Sequence, residues 1–329
     1  YGSYSAPVNL GSGSTFGNGD GGGAVILSIA GTLTLNGSIS ANGTSTDSRG
    51  ASGGSVYITA AELSGSGSIS ANGNSAGAWS NVGAGGGGRV AIIGSTEAYT
   101  GAVTAFGGTH GLGLYLGAAG TVFIKPPGTN GTLIVDNNNA VSGAYTYMGS
   151  STYAIDSSEM DQIRMLRKGS LRLVSYSTLT VNNMVSDGNG SALEMNGRLE
   201  TPASFVVSSY TLVLSADSLV PAATFLDIGY AGEVSLQGNT QAPWPVLSSI
   251  TVRNTGVLTH YNNTNAETHK LNLSLDALTI ESGGSINASG KGYSTNNGPG
   301  KGNGASYGGQ GNYSPGATYG SYSAPVNLG

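Results

Sequence analysis

Residues 1–11 read YGSYSAPVNLG, and residues 319–329 read YGSYSAPVNLG again. Identity over that length points to a tandem unit of 318 residues, the offset between positions 1 and 319, followed by the start of the next copy. A shorter repeat lies within the unit. GSISANG at Gly37–Gly43 recurs at Gly67–Gly73, as GSINASG at Gly284–Gly290, and more loosely as GAVTAFG at Gly101–Gly107. The first three in chain order are spaced by 30 and 34 residues, and from Gly284 across the unit boundary to the next Gly37 is 71 residues, a copy with a long insertion. Gly clusters lead from these blocks into apolar runs: Gly21–Ile29, Gly53–Ile58, Gly85–Ile93 and Gly117–Ile124.

This pattern fits a coil that stacks on itself. Alternation such as Ile39 and Ala41, or Ile69 and Ala71, puts small and branched side chains on one strand face. Glycines on either side permit corners and close backbone approach. One such coil cannot bury its apolar face alone, whereas stacked coils bury a continuous core. The expected fold is therefore all-β: a parallel β-helix, or β-solenoid, with Gly-rich loops, one repeat of a longer array. Between 132 and 280 the Gly-rich loops fade, yet strands persist at 132–135, 171–174, 178–181, 205–207, 211–214, 233–236, 250–252 and 271–275. Short strands between turns also suit a β-sandwich; the continuous solenoid is the preferred reading. Ser157–Lys168, with Asp156 three residues before Glu159 as a helix cap, is the one helical signal. Strand is favoured there too, because Ile163, Met165, Leu171 and Leu173 alternate. The chain divides into Gly-rich solenoid coils (1–126), a strand-rich continuation or sandwich-like part (127–283), a Gly/Tyr-rich coil and loop (284–318), and the start of the next copy (319–329).

With 57 glycines in 329 residues, disorder is the competing expectation. The β-branched runs argue for order with Gly-rich excursions. Charged residues are only 9%, against about 25% in ordinary domains, so Ser, Thr, Asn and Gly must coat the surface. Net charge is −5, and the 12 Lys and Arg form no cluster, which disfavours nucleic acid as a partner. There is no Cys, hence neither a disulfide framework nor a thiolate metal site. No apolar run of about 18 residues is present to span a membrane. The start at Tyr1, without Met or signal peptide, reads as an interior or processed start.

The ordered blocks GSISANG, GGGGRVAI and GAAGTVFIKPP resemble very large bacterial surface and secreted repeat proteins, over residues 284–329 and 1–137. The resemblance implies an extracellular parallel β-helix, adhesive or fibrous. It brings no catalytic residues with it.

Carboxylates are scattered. Only Asp156, Glu159 and Asp161 cluster, beside Arg164, Arg167 and Lys168. A glycosidase needs two carboxylates about 5–10 Å apart, but a self-neutralising solvated patch is the preferred reading. His110, His260 and His269 are far apart, and the spacing around Asn262, Asn263 and Glu267 matches no ligand pattern, so a surface loop is expected. Gly17–Gly21 resembles a calcium nonapeptide only loosely, since its single Asp supplies too few oxygens. The Gly-rich runs lack the Lys-Ser/Thr of a phosphate loop. Eight N-x-S/T sequons (Asn36, Asn42, Asn130, Asn189, Asn262, Asn272, Asn287 and Asn312) are near what composition alone gives. Tyr293, Tyr307, Tyr313, Tyr319 and Tyr322, in the long loop from Lys291 to Asn327, are the candidates for contact with glycans or a neighbouring fibre; packing onto the solenoid wall is the other reading.

The expectation is a structural subunit or repeat of an extracellular or cell-surface filament. Its partner is itself, through end-to-end copies in which Pro7–Leu10 lie at the junction, and it has no cofactor, metal or catalytic site. The alternatives are a surface adhesin for glycans or a partner cell and, behind it, a carbohydrate-active enzyme. At roughly 4.8 Å per coil, about 11–16 coils give a unit of about 50–75 Å.

Overall fold

Period-two alternation of branched apolar residues, broken by Gly, Asn and Pro, produces an all-β architecture of several mostly parallel sheets; no helix occurs among the described residues. The computed structural model describes all residues except 1, 16–18, 46–47, 149–157, 175–176, 203, 216–224 and 239–247, and the side chain of Ser158.

The longest sheet has eight strands, adjacent in chain order: Ala24–Thr34, Ser55–Ser64, Arg89–Ser95, Thr121–Lys125, Thr132–Asp136, Ser158–Leu166, Thr178–Ser186 and Arg198–Glu200. Corresponding positions sit one above another: Val56 pairs with Val90 and Val90 with Val122. The GSIS blocks form a three-stranded parallel sheet of Ser38–Ser40, Ser68–Ser70 and Ala102–Thr104. A seven-stranded parallel sheet follows: Thr146–Met148, Ser170–Leu173, Ser191–Met195, Tyr210–Leu214, Glu233–Leu236, Val257–His260 and Ser285–Ile286. A four-stranded parallel sheet holds Ser204–Ser208, Phe225–Gly229, Ser249–Val252 and Ala277–Ile280. Gly19–Asp20 and Thr44–Ser45 form a small antiparallel pair.

One pairing in the long sheet breaks the rule. Thr121–Lys125 and Thr132–Asp136 are antiparallel, joined by Pro126–Gly131. The two prolines cannot continue the ladder as donors, and Gly128 and Gly131 take φ of 76° and 90°, open to glycine at little cost. Asp161 closes the turn, its Oδ2 accepting from the backbone N–H groups of Asn130 (2.8 Å) and Gly131 (3.0 Å). Chain direction reverses at this hairpin, and so does the face that carries the core. Cross-strand partners share a face, and the register aligns Ala91, Phe123 and Leu133 on one side and Val90, Val122 and Ile134 on the other. Before the hairpin the core lies on the Val90 side, where Val56, Ile58, Val90 and Ile92 pack with Ile69 and Ala71. After it the core lies on the Leu133 side, where Leu133, Val135, Ile163 and Met165 meet Leu171, Leu173, Leu193 and Met195.

The walls of the first half approach backbone to backbone. Gly54, Gly88 and Gly120 donate across to the carbonyls of Ala41, Ala71 and Ala105 at 2.7–2.8 Å. Gly53 and Gly87 instead donate to the next tier, to Gly86 and Ala118. At these glycines no room for a side chain remains, which is what the glycine runs supply.

Two expectations about strands resolve differently. Ser158–Leu166 is a strand, with Ile163 and Met165 fully buried. Leu271–Leu275 joins no ladder, although Leu271, Leu273 and Leu275 alternate and pack against the larger core. Alternation gives that segment an apolar side without giving it a backbone partner.

The tiers at both ends leave core-facing positions uncovered. Leu278 and Ile280 are 44% and 47% exposed, whereas their register partners Ile250 and Val252 are 2% and 0%. At the opposite end Val25 and Leu27 are half-buried, whereas Val56 and Ile58 below them are fully buried.

Candidate functional site

Gly2–Gly11 has no strand ladder and lies along the Phe123 side of the long sheet, the side away from the first core. Tyr4 sets its ring edge-on to Phe123 with centroids 5.1 Å apart, and Pro7 is buried. Ser55 Oγ donates to the Asn9 carbonyl at 2.6 Å, and Gly11 N–H donates to Gly22 O at 2.8 Å. A Cβ on Gly11 would stand 2.6 Å from the carbonyl oxygens of Ser52 and Gly53, so only glycine permits this approach. Beneath the segment lies a cavity of about 210 Å³, lined by Gly54, Gly87, Arg89, Tyr145 and Tyr147 among others. Arg89 bridges it, donating to Thr121 Oγ1 (3.1 Å) and to the Tyr147 carbonyl (3.2 Å).

The cavity borders a polar ladder on the seven-stranded sheet. Tyr147, Arg172 and Glu194 are successive register partners on the face opposite Leu171 and Leu173. Arg172 donates to Glu194 Oε2 at 2.5 Å and to Tyr147 Oη at 3.0 Å, with its guanidinium 4.1 Å from the Tyr145 ring centroid and 5.6 Å from that of Tyr147. Glu194 is buried, and Arg172 Nε is buried without a hydrogen-bond partner among the described residues. Burial draws the Arg172 pKa down, but the hydrogen bond and charge of Glu194 outweigh it and leave it raised. Burial, reinforced by the Glu194 charge, pushes the Tyr145 hydroxyl up to about 12. Glu194 is thus committed to Arg172; the arrangement offers aromatic faces and a shared cation rather than a free acid or base.

The structure divides the tyrosines singled out from sequence. Tyr307 and Tyr319 meet edge to face at 5.0 Å, and Tyr319 Oη donates to the Leu328 carbonyl at 2.6 Å. Tyr293 and Tyr319 line a second cavity of about 600 Å³ with Asn297, Lys301 and Asn303. Tyr313 and Tyr322 stand apart from that cavity, and Tyr322 is fully exposed.

Of the acidic trio, Asp156 lies outside the described residues, Glu159 is exposed, and Asp161 is the cap of the hairpin turn. Arg167 is engaged by Asp136 through two nitrogens, at 2.9 Å and 2.6 Å. In the Gly17–Gly21 stretch, Gly17 and Asn18 lie outside the described residues and Asp20 is exposed.

The segment from Tyr261 to Lys270 is a loop without strand, exposed at Asn262, Thr264, Asn265, Ala266 and Thr268, but it is anchored at two buried residues. His260 is buried at the end of its strand and Asn263 within the loop, where the Asn263 side chain ties the chain together. Its Oδ1 accepts from the N–H groups of Thr268 and His269, and its Nδ2 donates to the carbonyls of His269 and Lys291. His269 Nδ1 accepts from Gly238 N–H at 2.7 Å, and burial lowers the pKa of both His260 and His269. His110 is buried as well, its ring bonded to the Trp79 carbonyl and to Leu112 N–H. Among the described residues no three His, Asp or Glu side chains converge as a metal site would require, and no helix is long and apolar enough to cross a membrane.

No protein-family profile, curated protein or solved structure matches this chain. Tyr145, Tyr147, Arg172 and Glu194 were not singled out from the sequence. Their signal was spacing: Arg172 stands 25 residues from Tyr147 and 22 from Glu194, one tier each way.

Proposed function

We propose that this chain is a structural repeat of an extracellular filament, a parallel β-solenoid whose copies stack end to end. The observation that carries the reading is the pair of open end tiers. Solenoids need polar caps where they stop, and uncovered edges associate, yet here Leu278, Ile280 and Ile286 at one end and Val25 and Leu27 at the other keep core-facing positions unfilled. Ala277–Gly290 also follows the strand–turn–GSI pattern of Leu33–Gly43, so the last tier is built like the first one of a following copy. A single hand along the stack further supports it. At Pro126–Gly131 strand direction and core side reverse together, and two reversals leave the sense of coiling unchanged. The sparse charge and the Gly, Ser, Thr and Asn surface suit a cell-exterior location, as does the resemblance to secreted repeat proteins.

The experiment is sedimentation velocity over a concentration series on the chain and on Leu278→Lys/Ile280→Lys. The reading expects self-association in the first that the double substitution abolishes while the thermal transition stays in place. Equal association in both would overturn it.

A further inference from the structure

We infer that Tyr319–Gly329 is a latch that seats on a second copy of this chain, in the groove that Gly2–Gly11 occupies within one copy. The inference rests on the end-to-end reading and names a contact within it.

The two segments are identical in sequence and are held in the same local shape. Ala6 N–H donates to Ser3 Oγ at 3.1 Å, and Ala324 N–H donates to Ser321 Oγ at 3.1 Å. The hydroxyls of Ser3 and Ser5 are 3.3 Å apart, as are those of Ser321 and Ser323. Gly2 and Gly320 take φ of 82° and 87°. Their surroundings differ. Tyr4 packs on Phe123 and Pro7 is buried, whereas Tyr322 is 102% exposed and Pro325 is exposed. One segment is docked along its length; the other is tied to its own chain only near its ends, where Leu328 N–H donates to Glu267 Oε1 at 2.9 Å and Gly329 O accepts from Tyr293 N–H at 3.0 Å, and between them it displays Tyr322 and Pro325 exposed. The partner it fits is the groove its twin already fills: the Phe123 edge for Tyr322, Ser55 for the Asn327 carbonyl, and the carbonyls of Ser52 and Gly53, which leave room only for glycine, for Gly329.

The geometry allows the reach. In a stacked neighbour, Phe123 lies on the fourth tier from the junction, about 20 Å away at roughly 4.8 Å per tier. Residues 291–318 can span up to about 90 Å when extended. Exchange replaces each groove contact by its equal, while it gives up the bonds of Leu328 N–H to Glu267 and of Tyr293 N–H to Gly329 O, so its net free energy is unfavourable by those bonds and the cost of association. The resident segment holds an effective concentration in the millimolar range. Wild-type exchange is accordingly weak, and weakening the resident segment strengthens it.

This gives one substitution opposite effects at two places in the same sequence. In the 329-residue chain, Tyr4→Ala releases the resident segment and is expected to lower the apparent dissociation constant of self-association about tenfold, from the lost aromatic pair. Tyr322→Ala is expected to raise it by a similar factor, and the double variant, in which both segments lose the same aromatic pair, to resemble the wild-type chain. Effects in the same direction, or none from either substitution, overturn the latch. Should Tyr4→Ala alter the thermal transition, the wild-type chain supplies the second test. Excess free YGSYSAPVNLG peptide is expected to disperse the associated chain, and the peptide with its fourth residue changed to Ala is not; no effect of the intact peptide overturns the latch. Failure of the two readings is separable. Association lost in Leu278→Lys/Ile280→Lys but indifferent to Tyr322 and to the peptide removes the latch and keeps the stacking, whereas the converse removes the stacking and keeps the latch.

Discussion

Gly86 and Gly88 are two residues apart in one glycine run, and alanine at the two positions should have opposite effects. A Cβ on Gly88 would fall far inside van der Waals contact of the Gly54 carbonyl oxygen, and 2.7 Å from the Gly53 carbonyl carbon. Ordinary heavy-atom contacts lie at about 3.5–4 Å, so the tiers must part by roughly 1 Å. That movement strains two backbone bonds, Arg89 N–H to Gly54 O (2.9 Å) and Gly88 N–H to Ala71 O (2.7 Å). Overpacking costs about 1–3 kcal/mol, and each bond contributes a further ~1 kcal/mol, so Gly88→Ala should cost about 3–5 kcal/mol. A Cβ on Gly86 meets nothing closer than Ala118 O at 3.8 Å, and its φ is not in the left-handed region. Gly86→Ala should therefore be neutral or stabilise by about 0.4–1 kcal/mol, through a less flexible unfolded chain. Urea unfolding followed by far-ultraviolet circular dichroism reads both. A Gly88→Ala cost below about 0.5 kcal/mol, or equal costs at the two sites, would refute the account of the glycine walls as backbone laminated on backbone.

Arg172→Ala should destabilise by about 3–5 kcal/mol, because it leaves the Glu194 carboxylate buried and unpaired; Arg172→Met/Glu194→Leu should recover most of the loss in the same unfolding assay. Tyr145, held protonated up to about 12, stabilises the fold fully below its unfolded value near 10 and progressively less as pH rises from 10 to 12. Tyr145→Phe should flatten that part of the stability profile and remove one late-ionising phenol from an ultraviolet titration. His260 has a lowered pKa from burial, so its contribution is present above the ordinary imidazole range and fades on acidification through it; histidine signals followed by NMR should show its ring neutral where a free imidazole is already charged.

Strand positions were legible where alternation and backbone pairing coincide. Ile163, Met165, Leu171 and Leu173 revealed both their element and their burial. Leu271–Leu275 shows where such reasoning stops, since alternation records an apolar side and carries no information about a hydrogen-bonding neighbour. The switch of core face was not read from the sequence, although Pro126–Gly131 between two apolar runs is the composition of a hairpin turn. The site was less legible than the fold. Tyr145, Tyr147, Arg172 and Glu194 come together only through the shorter tiers of the second half, at 22–25 residues rather than the 30–34 of the glycine-rich half. The tyrosines of the long loop were visible by composition, but which of them pack and which stay open depends on glycines such as Gly298, whose missing side chain makes room for the Tyr293 ring.

The most direct measurement is electron microscopy of concentrated chain, with the axial repeat taken from the images. The first half contributes four tiers of the long sheet and the second half the seven of its facing sheet, so end-to-end stacking at about 4.8 Å per tier predicts unbranched filaments with a period of roughly 50 Å. Discrete single-unit particles at every concentration, or filaments with a period unrelated to that length, would contradict the account.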